Sequence, residues 1–242
     1  MTDDELTVGV LGGMGPEATI DFMAEVLQLT DADMDQGHIH LIVDQNPKVP
    51  NRQQAIRSGN DDVGPVLAAM AGRLERAGAD FLVMPCNSAH VFEESIREAT
   101  SLPFISIVDV CVCSLGQACP DGGRIGLMAT DGLVETGLYQ RALEKAGFDA
   151  VLPNVREQAR LMTLIHRVKG GDKQPDVARG MQELARVLVE RGADAVLAAC
   201  TEIPLVLTAE QLAVPLVSST EALARRTVAL ARRERPLPAR RS

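Results

Sequence analysis

One stretch of this chain occurs twice. Arg76-Ala77-Gly78-Ala79-Asp80 closes a helical segment and opens the apolar run Phe81–Met84, which passes into Pro85-Cys86-Asn87-Ser88. A shift of 114 residues gives Arg191-Gly192-Ala193-Asp194, the run Ala195–Ala198, and then Ala199-Cys200-Thr201-Glu202. Two more blocks match in the same order. Val8-Gly9-Val10-Leu11, with its loop Gly12-Gly13-Met14-Gly15-Pro16, matches Ile125-Gly126-Leu127-Met128 with Ala129-Thr130-Asp131-Gly132, so that Gly9 falls on Gly126 and Thr19 on Thr136. Leu102-Pro103-Phe104-Ile105-Ser106 matches Val214-Pro215-Leu216-Val217-Ser218. Three blocks in one order mark an internal duplication, and the fold must then consist of two similar halves.

Within each half, short apolar runs alternate with amphipathic segments. Strands are expected near 7–12, 39–44, 81–85, 103–107, 124–128, 149–152, 195–199 and 215–218. Helices are expected over 16–30, 61–77, 88–100, 107–118, 133–147, 155–169, 175–191 and 219–233. Continuously apolar strands between helices are the mark of parallel sheets covered on both faces. The expected class is α/β: two similar three-layer α/β/α lobes with mainly parallel sheets. The first lobe is expected to span 1–106, with 214–242 returning to it, and the second 107–213. Ligands of such sheets sit beyond the carboxyl ends of the strands. Cys86 and Cys200 both fall there, so facing lobes would set the two thiols on opposite walls of one cleft.

Composition narrows the function. With 46% hydrophobic and 24% charged residues the chain is not disordered. No stretch reaches the roughly 18 apolar residues of a membrane span, and no leader of the secretory type opens the sequence. A formal net charge of −9 with no Trp, one Tyr and five Phe argues against a nucleic-acid partner. Five scattered cysteines argue against a disulfide framework and for a cytoplasmic setting.

A cysteine at a strand end that opens a helix meets free backbone N–H groups and the positive end of the helix dipole, which favour thiolate. Free cysteines are also common core residues, but two at equivalent places in a repeat point to chemistry. Two opposed thiols suit inversion of a carbon centre: one removes a proton from one face and the other delivers a proton to the opposite face. Asn87, Ser88, Thr201 and Glu202 would then hold a carboxylate beside exposed N–H groups, or else cap the helices.

The motifs Gly9-Val10-Leu11-Gly12-Gly13-Met14-Gly15-Pro16-Glu17-Ala18-Thr19, Pro85-Cys86-Asn87-Ser88-Ala89-His90 and Ala199-Cys200-Thr201-Glu202-Ile203-Pro204 together resemble the pyridoxal-phosphate-independent aspartate/glutamate racemase superfamily, its aspartate racemase branch most closely. The resemblance runs from about residue 6 to 230. It implies a cofactor-free isomerase, a homodimer of two-lobed chains, acting on a small amino acid. By the same resemblance Cys86 and Cys200 are the paired acid and base, Cys200 serving the L face and Cys86 the D face. Arg52 and Lys169 match the cations that grip the side-chain carboxylate of an acidic substrate. Asn87, Ser88 and Thr201 match contacts to the α-carboxylate and amino group, with Glu202 beside them. Met14 matches the loop at the cleft floor, and Thr130 lies at the equivalent loop of the second half. Ser88 stands where the family usually has Thr, and Ala199 where it usually has Gly. The expected reaction is interconversion of L and D isomers of an acidic amino acid, aspartate first and glutamate second. The alternatives are a racemase of broader specificity, another isomerase or decarboxylase of the superfamily, and a non-catalytic acidic amino-acid binding protein.

Other features carry less. His38 and His40 lie on an expected strand without a third ligand at suitable spacing, so no metal is expected. His90, one turn after Cys86, is placed to tune that thiol or to pack. Cys111, Cys113 and Cys119 read as core. The loop Gly12–Gly15 is similar to a dinucleotide loop but lacks the full glycine pattern, with Ala18 at its final position, and Asp44 near the end of the second expected strand is an acidic residue placed for a ribose.

Overall fold

The computed structural model describes residues 5–238, so positions 1–4 and 239–242 of the expected domain ranges lie outside it. The chain divides into two compact units: residues up to Ile107 together with those from Thr220 onward, and Val108–Ser219.

The first unit is built on β1 (Val8–Gly12), β2 (Leu41–Gln45), β3 (Phe81–Val83) and β4 (Phe104–Ile105). Its helices are α1 (Pro16–Leu29), α2 (Arg52–Ser58), α3 (Gly64–Arg76) and α4 (Glu93–Ala99). The strands form one parallel sheet in the order β2-β1-β3-β4. The second unit carries α5 (Ile107–Ala118), β5 (Gly123–Ala129), α6 (Asp131–Thr136), α7 (Leu138–Lys145) and β6 (Phe148–Val151). It continues with α8 (Val155–Lys169), α9 (Pro175–Glu190), β7 (Ala195–Ala199) and β8 (Leu216–Ser218). Its sheet is also parallel, in the order β6-β5-β7-β8. The two orders are the same once the strands are numbered from each half's start, so the α/β class and the duplication stand together. The last helix, α10 (Ser219–Ala231), belongs almost entirely to the first unit, where Leu6 donates its N–H to Ala231 O at 2.9 Å.

The repeated Gly-Ala-Asp has a structural cause. Gly78 and Gly192 turn the chain in the left-handed region, at φ +96° and +87°. Asp80 then makes one main-chain and one side-chain contact with the Thr7 backbone: its N–H donates to Thr7 O at 2.8 Å, and Thr7 N–H donates to its Oδ2 at 2.7 Å. Asp194 does the same with Arg124, at 2.7 and 2.8 Å. The intervening alanines face glycines of the central strands. A Cβ on Gly9 would come within 2.9 Å of Ala79 Cβ, and one on Gly126 within 3.3 Å of Ala193 Cβ. Each block thus clasps a crossover to the start of the unit's central strand, and the cysteines follow at the strands' carboxyl ends.

The structure corrects several expectations. The stretch 214–218 does not return to the first lobe: β8 pairs with β7 in the second sheet, and the return begins at Thr220. The helix expected over 133–147 is two, because Gly137 takes φ +66° between α6 and α7. The helix expected over 88–100 starts as a 3₁₀ turn, Ser88–Phe92, before α4. Helix α2 was not expected; Asn51 starts it by accepting the N–H groups of Gln53 and Gln54. His38 and His40 precede β2 instead of lying on it. Among the described residues no helix is long and apolar enough to cross a membrane.

Candidate active site

In the first unit Cys86 lies three residues past β3, buried at 5% exposure in an apolar cluster with Met14, Val49, Ala55 and Met84. Its backbone is fixed on both sides. The Cys86 N–H donates to Met84 O at 2.8 Å, and its carbonyl meets His90 Nδ1 at 2.8 Å. The Ile107 N–H donates to the other ring nitrogen, Nε2, at 3.0 Å. A nitrogen that accepts carries no proton, so Nδ1–H is the donor to Cys86 O. His90 therefore holds the main chain of Cys86 to the start of α5.

Ser88 is not a helix cap. Its Oγ accepts from Gln53 Nε2 at 2.9 Å, which ties the Cys86 loop to α2. Asn87 is buried. Arg52, first residue of α2, donates from Nη1 to Val49 O at 3.1 Å and Pro50 O at 2.9 Å. Among the described residues Arg52 has no carboxylate partner, whereas Asp44, the acid a dinucleotide site would have needed, is paired with Arg73 at 2.7 Å. The glycine loop is closed on its own protein: Gly13 at φ +92° donates its N–H to Thr19 Oγ1 at 2.8 Å, and a Cβ there would strike the Asn46 backbone at 2.4 Å. Met14, Arg52, Cys86, Asn87 and Ser88 thus all fall in the first unit, gathered around the end of β3.

In the second unit Cys200 follows β7 directly. The register pairs Ala129 with Ala199, so Thr130 and Cys200 leave adjacent strands one residue beyond that pair. Thr130 is buried, and its loop is held by Gln158, whose Nε2 donates to Ala129 O at 3.0 Å and to Asp131 Oδ1 at 2.8 Å. The Asp131 N–H points to Met162 Sδ at 3.4 Å. Neither Gln53, Gln158 nor Met162 stood out in the sequence, since each acts only through a partner distant in the chain.

No helix follows Cys200. The chain from Thr201 runs through turns, with Ile203 N–H donating to Cys200 O at 3.0 Å, so the expected activation by a helix N-terminus is absent at this thiol. A carboxylate takes its place. Cys200 Sγ donates to Glu202 Oε2 at 3.0 Å, and Thr201 Oγ1 reaches the same oxygen at 3.5 Å. Lys169, the last residue of α8, forms an ion pair with Glu202 Oε1. Burial pushes the Cys200 thiol well above the ordinary range; the charge of Glu202 adds to this and that of Lys169 opposes it. Thr130, Lys169, Cys200, Thr201 and Glu202 form the second unit's group.

Of the other cysteines, Cys111 is core: it accepts from Tyr139 Oη at 3.5 Å, and burial pushes its thiol up to about 12. Cys113 is exposed and Cys119 half-buried just past α5, so neither is the core residue expected. Among the described residues no group of three His, Cys, Asp or Glu is placed to hold a metal ion.

Known proteins are similar to this chain in sequence and fold. The chain is 28% identical to the broad specificity amino-acid racemase RacX of Bacillus subtilis over 228 residues, 91% of this chain and 96% of that protein. The solved structure of Picrophilus torridus aspartate racemase superposes with a TM-score of 0.81 at 28% identity, covering 93% of this chain and 94% of its own. A glutamate racemase of Corynebacterium kroppenstedtii is 30% identical over 176 residues, 66% of this chain and 56% of that protein. The profile of the Asp/Glu/Hydantoin racemase family matches residues 11–227. The chain belongs to the Asp/Glu/Hydantoin racemase family, a group of isomerases.

Proposed function

We propose that this protein interconverts the L and D isomers of an acidic amino acid, aspartate first and glutamate second, by a cofactor-free exchange of protons between Cys86, Cys200 and the α-carbon. The observation that carries the reading is the equivalence of the two thiols. Both are buried, and both lie past the second crossover strand of identically ordered sheets, where parallel α/β units bind ligands. One thiolate removes the α-proton while the other thiol protonates the opposite face, and the roles exchange with the handedness of the substrate. The polar side chains beside them, Asn87 and Ser88 in one unit and Thr130 and Thr201 in the other, supply contacts for the α-carboxylate and ammonium. Arg52, free of any carboxylate partner among the described residues, is the cation for a side-chain carboxylate.

One observation favours a broader substrate range as the second reading. Lys169, matched to the second carboxylate-gripping cation, is paired with Glu202. With one cation engaged, discrimination for an acidic side chain rests on Arg52, and neutral amino acids compete better. A homodimer belongs to the same proposal. It is supported by the exposed stripe Ile20, Met23 and Leu27 on one face of α1, and sedimentation equilibrium tests it.

The test of activity is incubation with L-aspartate, L-glutamate and neutral amino acids in D₂O without cofactor, followed by NMR and chiral chromatography. Exchange of the α-proton with inversion supports the proposal, and the order of rates decides between the two readings of substrate range. Binding without exchange for every amino acid overturns it in favour of a binding protein.

A further inference from the structure

The duplication breaks at one place in the site. The shift that lays Cys86 on Cys200 lays Ser88, a neutral hydroxyl, on Glu202, a carboxylate. That carboxylate is 5% exposed at its side chain and is held from both ends, by the Cys200 thiol on Oε2 and by the Lys169 ammonium on Oε1. We propose that Glu202, anchored by Lys169, is a positioning residue that keeps the proton on Cys200 in the resting protein, so that Cys200 rests as an acid.

The geometry fits a thiol. Cys200 Sγ lies 3.0 Å from an oxygen of Glu202, the Lys169 ammonium favours Glu202 as a carboxylate, and of the two groups only the S–H then has a proton to give. A thiolate there would stand beside a carboxylate in a site from which water is largely excluded, and like charges at that separation repel strongly. The direction in which burial and Glu202 move the thiol agrees. One further titratable group acts on Cys200, Tyr139 of α7. Tyr139 is pushed well above its ordinary range by burial and by Cys111, to which it is bonded, with Asp109 adding to the effect. Tyr139 is therefore neutral at neutral pH.

The proposal assigns Lys169 a task other than gripping substrate. When the S–H bond of Cys200 breaks and its proton passes to the α-carbon, the electron pair stays on sulfur and the site gains a negative charge next to Glu202. Lys169 is the cation that offsets it. This use of the proton rests on the two-cysteine reading above, but its resting place does not.

Alkylation by iodoacetamide, in which thiolate sulfur displaces iodide, reports that place without any turnover. Rates at Cys86 and Cys200 are followed by peptide mass spectrometry against pH, each normalised to its own plateau so that access cancels. In the unaltered protein the midpoint of Cys200 is expected above the ordinary thiol range. Glu202→Gln keeps the side-chain shape, removes the charge and should lower the Cys200 midpoint by about one pH unit, a rise of about tenfold in rate below the midpoint. Lys169→Met should raise it, and Cys86 should stay where it was in both. A Cys200 midpoint unmoved by Glu202→Gln, or moved the same way by both variants, overturns the proposal. A protein that alkylates as expected yet racemises nothing would overturn the proposed function and leave the proton placement standing.

Turnover adds a second measurement. The two isomers have equal free energy in water, so kcat/KM is the same in both directions, but unequal resting forms make kcat and KM differ together between isomers. Glu202→Gln should shrink that difference. A merely structural role would lower kcat/KM and leave the difference intact, which counts against the proposal.

Discussion

His90 joins Cys86 to Ile107: one ring nitrogen donates to the carbonyl of the first at 2.8 Å, and the other accepts the N–H of the second at 3.0 Å. The ring is 2% exposed and lies 5.3 Å from that of Phe104. His90→Ala leaves a buried acceptor and a buried donor unpaired and opens a cavity, a loss of about 2–4 kcal/mol. Urea unfolding followed by circular dichroism checks it. A midpoint equal to that of the unaltered protein would mean that the Cys86 loop is held by something else.

Replacing either cysteine separates the two halves of the proposed reaction. Cys86→Ala and Cys200→Ala should each lower racemisation by about 10²–10⁴-fold, the usual contribution of a positioned proton carrier. The circular dichroism spectrum should stay unchanged. In D₂O each variant should still wash the α-proton out of the one isomer whose face keeps its thiol. Near-normal turnover in either variant would exclude a two-thiol mechanism.

Arg52 tests the substrate class. Its Nη1 is anchored on two main-chain carbonyls of the loop before α2, so the guanidinium is oriented before any ligand arrives. Arg52→Ala should raise KM for aspartate and glutamate by about ten- to a hundredfold, corresponding to about 1.5–3 kcal/mol for a charged hydrogen bond. Neutral amino acids should change little. Equal losses for acidic and neutral substrates would remove Arg52 from the side-chain site.

Gly9 and Gly126 occupy the same place in the two central strands, yet their surroundings differ in tightness. A Cβ on Gly9 would lie 2.6 Å from Leu82 Cδ2 and 2.9 Å from Ala79 Cβ; on Gly126 the nearest atom, Leu188 Cβ, is at 3.0 Å. Gly9→Ala should cost about 1–3 kcal/mol through overpacking, and Gly126→Ala less. Thermal unfolding of the two variants decides the order, and a reversal would show that the first unit gives way more easily than its spacing implies.

Much of this was legible from residue order. Period and apolar runs gave the eight strands, and the matched blocks gave the duplication, because Gly9 with Ala79 and Gly126 with Ala193 are packing requirements that leave a sequence trace. The two cysteines could be placed at strand ends for the same reason. Less legible was whatever depends on a partner far along the chain: Gln53 on Ser88, Gln158 on Ala129, His90 on Ile107. The helix expected after Cys200 gave way to turns, and with it the electrostatics reversed, from a dipole favouring thiolate to a buried carboxylate favouring thiol. Helix α2 escaped notice because it is seven residues long and announced only by its cap, Asn51.

The final helix gives the two units unequal schedules. Val108–Ser219 is continuous, so every segment it needs has been made once Ser219 has left the ribosome. The unit that holds Cys86 contains β1 through β4 early, but its complement is complete only when α10 arrives and Leu6 finds Ala231. Chains fold as they are synthesised, at about 5–20 residues per second. Synthesis thus completes every segment of Val108–Ser219 before α10, the last element of the unit that holds Cys86, has been made.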